Sequence, residues 1–433
     1  MNSPQNIILI ITHDTGDFFG CYGHPVSSVN IDRMAKSGVY FTNYFCSAPQ
    51  CSPSRGSILT GKMPHSHGLM GLVNRGWSLP EFNVTLPKAL NEVGYSTHLI
   101  GLQHEHDDAA KIGYQQIHMD PETSTTSDYV LPSAMEFLRK VEEEHIQQPF
   151  FCNIGFFDTH RPYIYPEEEV EKPELDSICV PPYLPDEQIV RKDIADFFGA
   201  IKHVDHNIGK IIDFLEKECS FADHTLVLYT VDHGWAMPKA KCTLYDSGIK
   251  TGLVMYQPGK FQGKIYSQLL SNIDLFPTLL ELVGAEVPVD IQGQSFYPLL
   301  KGEKYTEREH IFAELTYHDC YNAMRAIRTK KWKYIMNFEI LPTRFEIPIG
   351  FAGTDSTELY IQRNPDFNSP REEGELYHLE NDPNEMNNLA SDPKYSQIKE
   401  KLKNKLFQWL EETKDPILSG KIAAPPGSLD ASE

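Results

Sequence analysis

The chain predicts an α/β protein, with a large mixed and mostly parallel sheet sandwiched by helices. A smaller C-terminal α+β part carrying a short antiparallel sheet follows it. Three observations predict this. Continuous apolar runs at Asn6–Ile11, Pro149–Phe156 and Thr225–Val231 read as strands buried on both faces, as in parallel sheets. Amphipathic stretches of helical period separate them. Beyond about residue 305 the pattern turns to short alternating segments, which places a division at 1–305 and 306–433. A length of 433 residues is ample for a large core with a smaller attachment.

In order, the first run ends at Thr12-His13-Asp14-Thr15-Gly16. Ligands gather at the carboxyl ends of such strands, so His13 and Asp14 are site candidates, although an Asp there can equally cap the next helix. Cys51-Ser52-Pro53-Ser54-Arg55 leads through Ile58-Leu59 to Gly61 and reads as a loop entering a helix near Ser54. Cys51 then lies near the positive end of a helix, where an anion is welcome and Arg55 can reach it; a reduced, buried cysteine is the alternative. Lys88–Val93 reads as a helix closed by Gly94, and Tyr95–Gly101 as a strand delivering Leu102-Gln103-His104-Glu105-His106. Tyr129–Ile146 is helical by its spacing. The strand after it delivers Asp158-Thr159-His160-Arg161-Pro162, where His160 is either a site residue or a surface histidine. Asp193–Glu218 is a long amphipathic helix. The strand that follows ends at Asp232-His233, a second carboxylate–imidazole pair at a second strand end, with Lys239 and Lys241 beyond it. Asn272 begins a helix ending near Gly284. Further on come a hairpin over Met324–Ile335, a Pro- and Gly-rich insertion over Leu341–Pro370 above the site, a strand from Glu375 and a helix over Tyr395–Thr413. The tail after Ala423 is expected to be loose.

The formal net charge of −21 argues against a nucleic-acid partner. It also repels anionic substrates at long range, so any capture of one must rest on a local cationic pocket. Eight cysteines without C-x-x-C spacing, no basic n-region before the first strand and no run long enough to span a bilayer lead to the expectation of a cytoplasmic protein with no membrane partner.

Cys51-x-Pro-Ser-Arg55 followed by Thr60-Gly61, together with the acidic strand ends, His160-x-Pro162 and Lys241-x-Thr243-x-Tyr245, resembles the sulfatases of the alkaline-phosphatase-like superfamily. The likeness runs in order from Asn6 to about Leu410, and is nearest in feel to heparan N-sulfatase-like bacterial members. It implies a hydrolase of sulfate esters or sulfamates, with sulfated glycosaminoglycan saccharides as substrates. Cys51 is implied to be oxidised by a formylglycine-generating or anaerobic maturation enzyme to formylglycine, whose hydrated aldehyde is the nucleophile. The implied metal ligands are His13, Asp14, position 51, Asp232 and His233. Calcium is the family's usual ion, while the histidines favour manganese or zinc. Arg55, His104, His160 and Lys241 are implied as catalytic, and His104, His106, His160 and Lys241 as contacts to the substrate. The family has a lysine where this chain has Leu102, and Lys111 or His106 is expected to replace its charge. A phosphonate monoester or phosphodiester hydrolase, or an unmodified sugar-binding pseudoenzyme, are the alternatives.

Overall fold

The computed structural model describes residues 6–118 and 125–429. The residues ahead of Asn6, on which the reading of the N-terminus partly rests, lie outside them. Fourteen strands are present among the described residues. The large sheet comprises β1 (Asn6–Thr12), β2 (Val39–Phe41), β4 (Ser96–Gly101), β5 (Gln116–Ile117), β6 (Phe150–Phe156), β7 (Thr225–Val231), β8 (Leu253–Tyr256) and β9 (Lys264–Tyr266). Their spatial order is β5-β4-β6-β1-β7-β8-β2-β9. The strands from β5 to β7 are parallel, and only β8 runs against its neighbours β7 and β2. Two short strands, β3 (Tyr44–Phe45) and β10 (Leu270–Ser271), pair separately.

Central position explains the continuous apolar run of β1. Ile8 and Ile10 enter one core with Val130, Phe137, Ile201 and Ile208 from the helices Ser127–Glu143 and Gln188–Glu218. Ile7, Leu9 and Ile11 enter the opposite core with Ile58, Leu59, Leu86 and Leu275 from the helices Cys51–Thr60, Leu86–Glu92 and Leu275–Val283. Alternate side chains from Ile7 to Ile11 thus meet apolar matter on both faces, and only the two ends of the strand, Asn6 and Thr12, are polar. The register sets Thr12 beside Phe156 on one side and Val231 on the other. Three parallel strands therefore release residues 13–14, 157–160 and 232–233 at one edge.

The antiparallel part is β11 (Ile311–Tyr317), β12 (Tyr321–Arg328), β13 (Trp332–Asn337) and β14 (Gly374–His378), paired in that order. One face packs Ile327, Tyr334 and Leu376 on Leu402, Leu406 and Leu410 of the helix Ser396–Glu412. The other sets Leu315, Met324 and Ile335 against Phe45, Leu244 and Ile249. The expected division at residue 305 falls between the helix Tyr297–Lys301 and β11. The 341–370 insertion contains the helix Asp355–Arg363, and buries Phe345, Tyr360 and Phe367 in the first core. The tail is not loose either, up to the last described residue, since the Leu429 amide donates to the Arg75 carbonyl (3.0 Å). No helix among the described residues is long and apolar enough to cross a membrane.

Candidate active site

The helix expected near Ser54 begins three residues earlier, spanning Cys51–Thr60 with Gln50 as N-cap and Gly61 in the left-handed conformation at its end. Pro53 fits inside the first turn because amide hydrogens there have no intrahelical acceptor anyway. Every residue of this helix is buried, and its N-cap offers no side-chain hydrogen bond. A buried, uncapped helix start leaves amide donors and the positive end of the dipole at Cys51.

Around Cys51 the strand ends converge. One ligand-capable atom from each of His13, Asp14, Cys51, Asp232 and His233 lies within 4.8 Å of all the others. His13 Nδ1 is 3.1 Å from Asp14 Oδ1 and 3.2 Å from Asp232 Oδ2. His233 Nε2 is 2.9 Å from Asp14 Oδ1 and 3.3 Å from Cys51 Sγ. The Nδ1–H of His233 donates to the Gly234 carbonyl (2.8 Å), so Nε2 is the nitrogen that faces the cluster. Asp14 reaches its place with φ of 49°, and its amide donates to Asp232 Oδ1 (3.0 Å), tying the two strand ends together. Asp tolerates this left-handed backbone better than most residues. Two carboxylates and two imidazoles around position 51 are a donor set that fits a divalent cation.

Electrostatics follow from that crowding. Burial pulls the His13 and His233 rings toward neutrality, but Asp232, Asp14 and the Cys51 sulfur outweigh it and raise them to about 9 and about 10. Burial alone would raise the Cys51 thiol, yet His13, Lys241 and His233 bring it well below its ordinary value. Lys241 Nζ is 2.7 Å from Asp14 Oδ2, and that carboxylate holds the ammonium protonated against the cost of burial. His160 Nε2 is 3.4 Å from Lys241 Nζ, and burial and that neighbouring charge lower the ring to about 4. Arg55 is fully buried; its Nε meets Asp232 Oδ2 (3.2 Å), while Nη1 and Nη2 have no protein partner. Ser54 Oγ donates to the Asp232 carbonyl and so fixes the helix start to the end of β7.

Asp14, Cys51, His104, His160 and Lys241 line one cavity of about 160 Å³, with His13, Arg55, Asp232 and His233 packed beneath. His106 does not line it. The Gln103 side chain turns the chain back after β4 by accepting from the Glu105 amide (2.9 Å) and donating to the His106 carbonyl (2.6 Å). His106 Nδ1 ends beside Asp107 Oδ1 (2.5 Å) and the Asp108 amide (2.9 Å). Lys111 is half-exposed and pairs with Glu81 (3.1 Å). Neither of the two expected replacements for the missing lysine at Leu102 is therefore in the cavity, because nearness in sequence did not survive that turn. Lys239 is partly buried and donates to the Glu385 carbonyl (2.7 Å).

The cavity's other cations come from residues to which the sequence assigned no role. Arg75, Arg161 and His318 line it, together with Asp319 and the segment 348–351. They belong to four separate parts of the chain. Only Arg161, next to His160, had a local signal.

The chain belongs to the sulfatase family, whose model matches residues 5–285. A second model, for the C-terminal part of N-sulphoglucosamine sulphohydrolase, matches residues 232–347. An ulvan-active sulfatase of Formosa agariphila is 28% identical, over 98% of this chain and 84% of its own length. The human N-sulphoglucosamine sulphohydrolase is 25% identical, over 99% of this chain and 93% of its own. A protein solved in complex with its substrate D-glucosamine-2-N,6-O-disulfate shares the fold, with a TM-score of 0.75 at 20% identity, covering 97% of this chain and 100% of that one.

Proposed function

We propose that this sulfatase hydrolyses sulfate ester or sulfamate groups on glycosaminoglycan-derived saccharides. The observation that carries the reading is the meeting of a buried, uncapped helix start at Cys51 with four candidate metal ligands and a protonated Lys241 at the floor of one cavity. The two matched models and the human relative's activity on N-sulphoglucosamine support the saccharide class.

His13, Asp14, Asp232, His233 and the side chain at position 51 would hold the ion. A divalent cation there supplies neutralisation of sulfate charge and of the attacking oxygen. Calcium is the first candidate, with manganese and zinc favoured by the two imidazoles. Oxidation of Cys51 to formylglycine by a maturation enzyme supplies the nucleophilic oxygen. The unpaired donors of buried Arg55 suit anionic oxygens, where charge-assisted hydrogen bonds are strong. On the leaving-group side, His160 Nδ1 donates to the Arg161 carbonyl (2.5 Å), so Nε2 accepts from the Lys241 ammonium. The Lys241 ammonium thus holds a proton on the leaving-group side, oriented by His160 Nε2, where it can be given to a departing sugar oxygen or nitrogen. His104, whose Nδ1 has no protein partner, serves the elimination that frees sulfate.

The division at 305/306 and the cytoplasmic placement belong to the same proposal. All eight cysteines are free, which supports a reducing compartment.

The test is sulfate release by the matured protein and by Cys51→Ala from N-sulfated, O-sulfated and aryl substrates, with a phosphonate ester alongside. Release from a sulfated saccharide, abolished in a folded Cys51→Ala protein, is expected. Faster turnover of the phosphonate ester, or full sulfate release by Cys51→Ala, overturns the reading.

A further inference from the structure

Glu105 follows His104 directly, has no exposed surface and does not line the cavity. Its main chain is pinned on both sides: its amide donates to Gln103 Oε1 (2.9 Å) and its carbonyl accepts from the Leu79 amide (2.8 Å). The side chain folds back on the cavity residue before it, Oε2 accepting from the His104 amide (2.8 Å), while Oε1 has no protein partner. A buried carboxyl left half-paired is costly, and burial raises it above its ordinary value. The charge that most opposes this rise is the Arg55 guanidinium, followed by the hydrogen bond from the His104 amide. Tyr114, whose hydroxyl accepts from Asn153 Nδ2 (2.7 Å), feels Glu105 and Arg55 with opposite sign.

Arg55 needs a second holder. It is fully buried, and its one protein contact at the charged end is Nε on Asp232, while Nη1 and Nη2 have no protein partner. A single bond through Nε fixes one corner of the guanidinium, whereas two anions constrain its plane. Asp232, Arg55 and Glu105 alternate in charge and so link the end of β7 to the turn after β4. A carboxylate beside an arginine weakens its pull on an incoming anion, but it limits the directions that its donors can take. Chemistry at a preorganised site depends more on the alignment than on the pull.

We propose that Glu105 is a positioning residue of the site: through the His104 amide and the Arg55 guanidinium it sets two side chains that handle the sulfate group. This rests on the reading of Arg55 and His104 above, and is independent of which sulfate ester is the substrate.

The test compares the matured, metal-loaded protein with Glu105→Gln, by calorimetric titration with inorganic sulfate and by kcat and KM on the ester that the wild type hydrolyses. Glutamine keeps the shape of the side chain and an oxygen for the His104 amide, but removes the charge. Opposite movements are expected. Sulfate should bind severalfold tighter, because the guanidinium loses a competing anion, whereas kcat should fall about 10- to 100-fold, because its donors are less well aligned. KM should not rise. A residue that only supported the fold would lower stability without tightening sulfate, so unchanged or weaker sulfate binding overturns the proposal, as does an unchanged kcat. Glu105→Asp keeps the charge and withdraws the oxygen from the His104 amide by one methylene. Its sulfate affinity should match wild type while kcat falls; a wild-type kcat refutes the part played through His104. Failure of both variants to fold makes the residue structural and overturns the proposal. A wild type that binds sulfate but releases none from any ester removes the functional reading instead, and the sulfate titration of the variants still decides whether Glu105 acts on Arg55.

Discussion

Replacing Lys241 by methionine keeps the length and apolar stem of the side chain and removes one charge. Its ammonium is buried, 2.7 Å from Asp14 Oδ2 and 3.4 Å from His160 Nε2. At an effective dielectric of about 20, the direct attraction to Asp14 at that distance is about 6 kcal/mol, most of it offset by the desolvation of both partners. Breaking a buried pair on one side usually costs about 3–5 kcal/mol. Asp14 keeps His13 at 3.1 Å and His233 at 2.9 Å as other partners, so the expected loss of stability lies at the low end, about 3 kcal/mol. The loss of catalysis should be separate and larger in effect. Removing a charged donor from the leaving-group side costs about 3–4 kcal/mol of transition-state stabilisation, or roughly 100- to 1,000-fold in kcat/KM. Metal content should not fall, because the variant takes a competing cation away from the proposed ligand Asp14. The assay is sulfate release at saturating and limiting substrate, alongside urea unfolding and elemental analysis of the same preparation. A folded Lys241→Met protein within a few-fold of wild-type kcat/KM would refute the role of the Lys241 ammonium at the leaving group. Loss of metal together with activity would show that Lys241 serves the ion site and not the leaving group.

Two further outcomes are expected. The double variant Asp14→Asn with Asp232→Asn leaves the buried Arg55 and Lys241 cations without their carboxylates and should lose about 3–5 kcal/mol of stability for each, and the protein that remains folded should bind no stoichiometric metal; a full equivalent by elemental analysis refutes the ligand assignment. Asp17 is buried beside Lys250 (2.8 Å) and His24 (3.3 Å); burial alone would raise its carboxyl, but these cations outweigh it and lower it from 3.8 to about 2. A carboxylate lowered on folding stabilises the native state above its unfolded value, and that contribution fades as pH falls from about 4 to about 2. Asp17→Asn should therefore be about 2 kcal/mol less stable than wild type at pH 7, and the gap should close towards pH 2; a gap independent of pH in urea titrations refutes the pairing.

The central strands and the residues at their ends were determined by the sequence alone. A strand buried on both faces is apolar along most of its length, so β1, β6 and β7 stand out without any partner in view, and His13, Asp14, His160, Asp232 and His233 follow within a few residues of their ends. Cys51 and Arg55 were legible for a related reason: the helix start that presents them is a local motif of five residues. Its first residue was misplaced because a proline at the third position reads as a loop, although the first turn accommodates it. Only the tertiary structure decided which cations reach the cavity. Near neighbours of Leu102 were the natural candidates, yet the Gln103 turn carries His106 aside and Lys111 pairs at the surface, while Arg75 and His318 arrive from distant segments. Nor could the hydrogen bonds that join the Asp319 turn to the Glu346 segment be read from sequence. Asp319 and Glu346 lie in an unremarkable turn and an irregular insertion, and their meaning comes from amides and a guanidinium that only folding brings within hydrogen-bond distance. Strand burial and helix starts are written in neighbouring residues, whereas a pocket wall assembled from separate segments is a property of their packing.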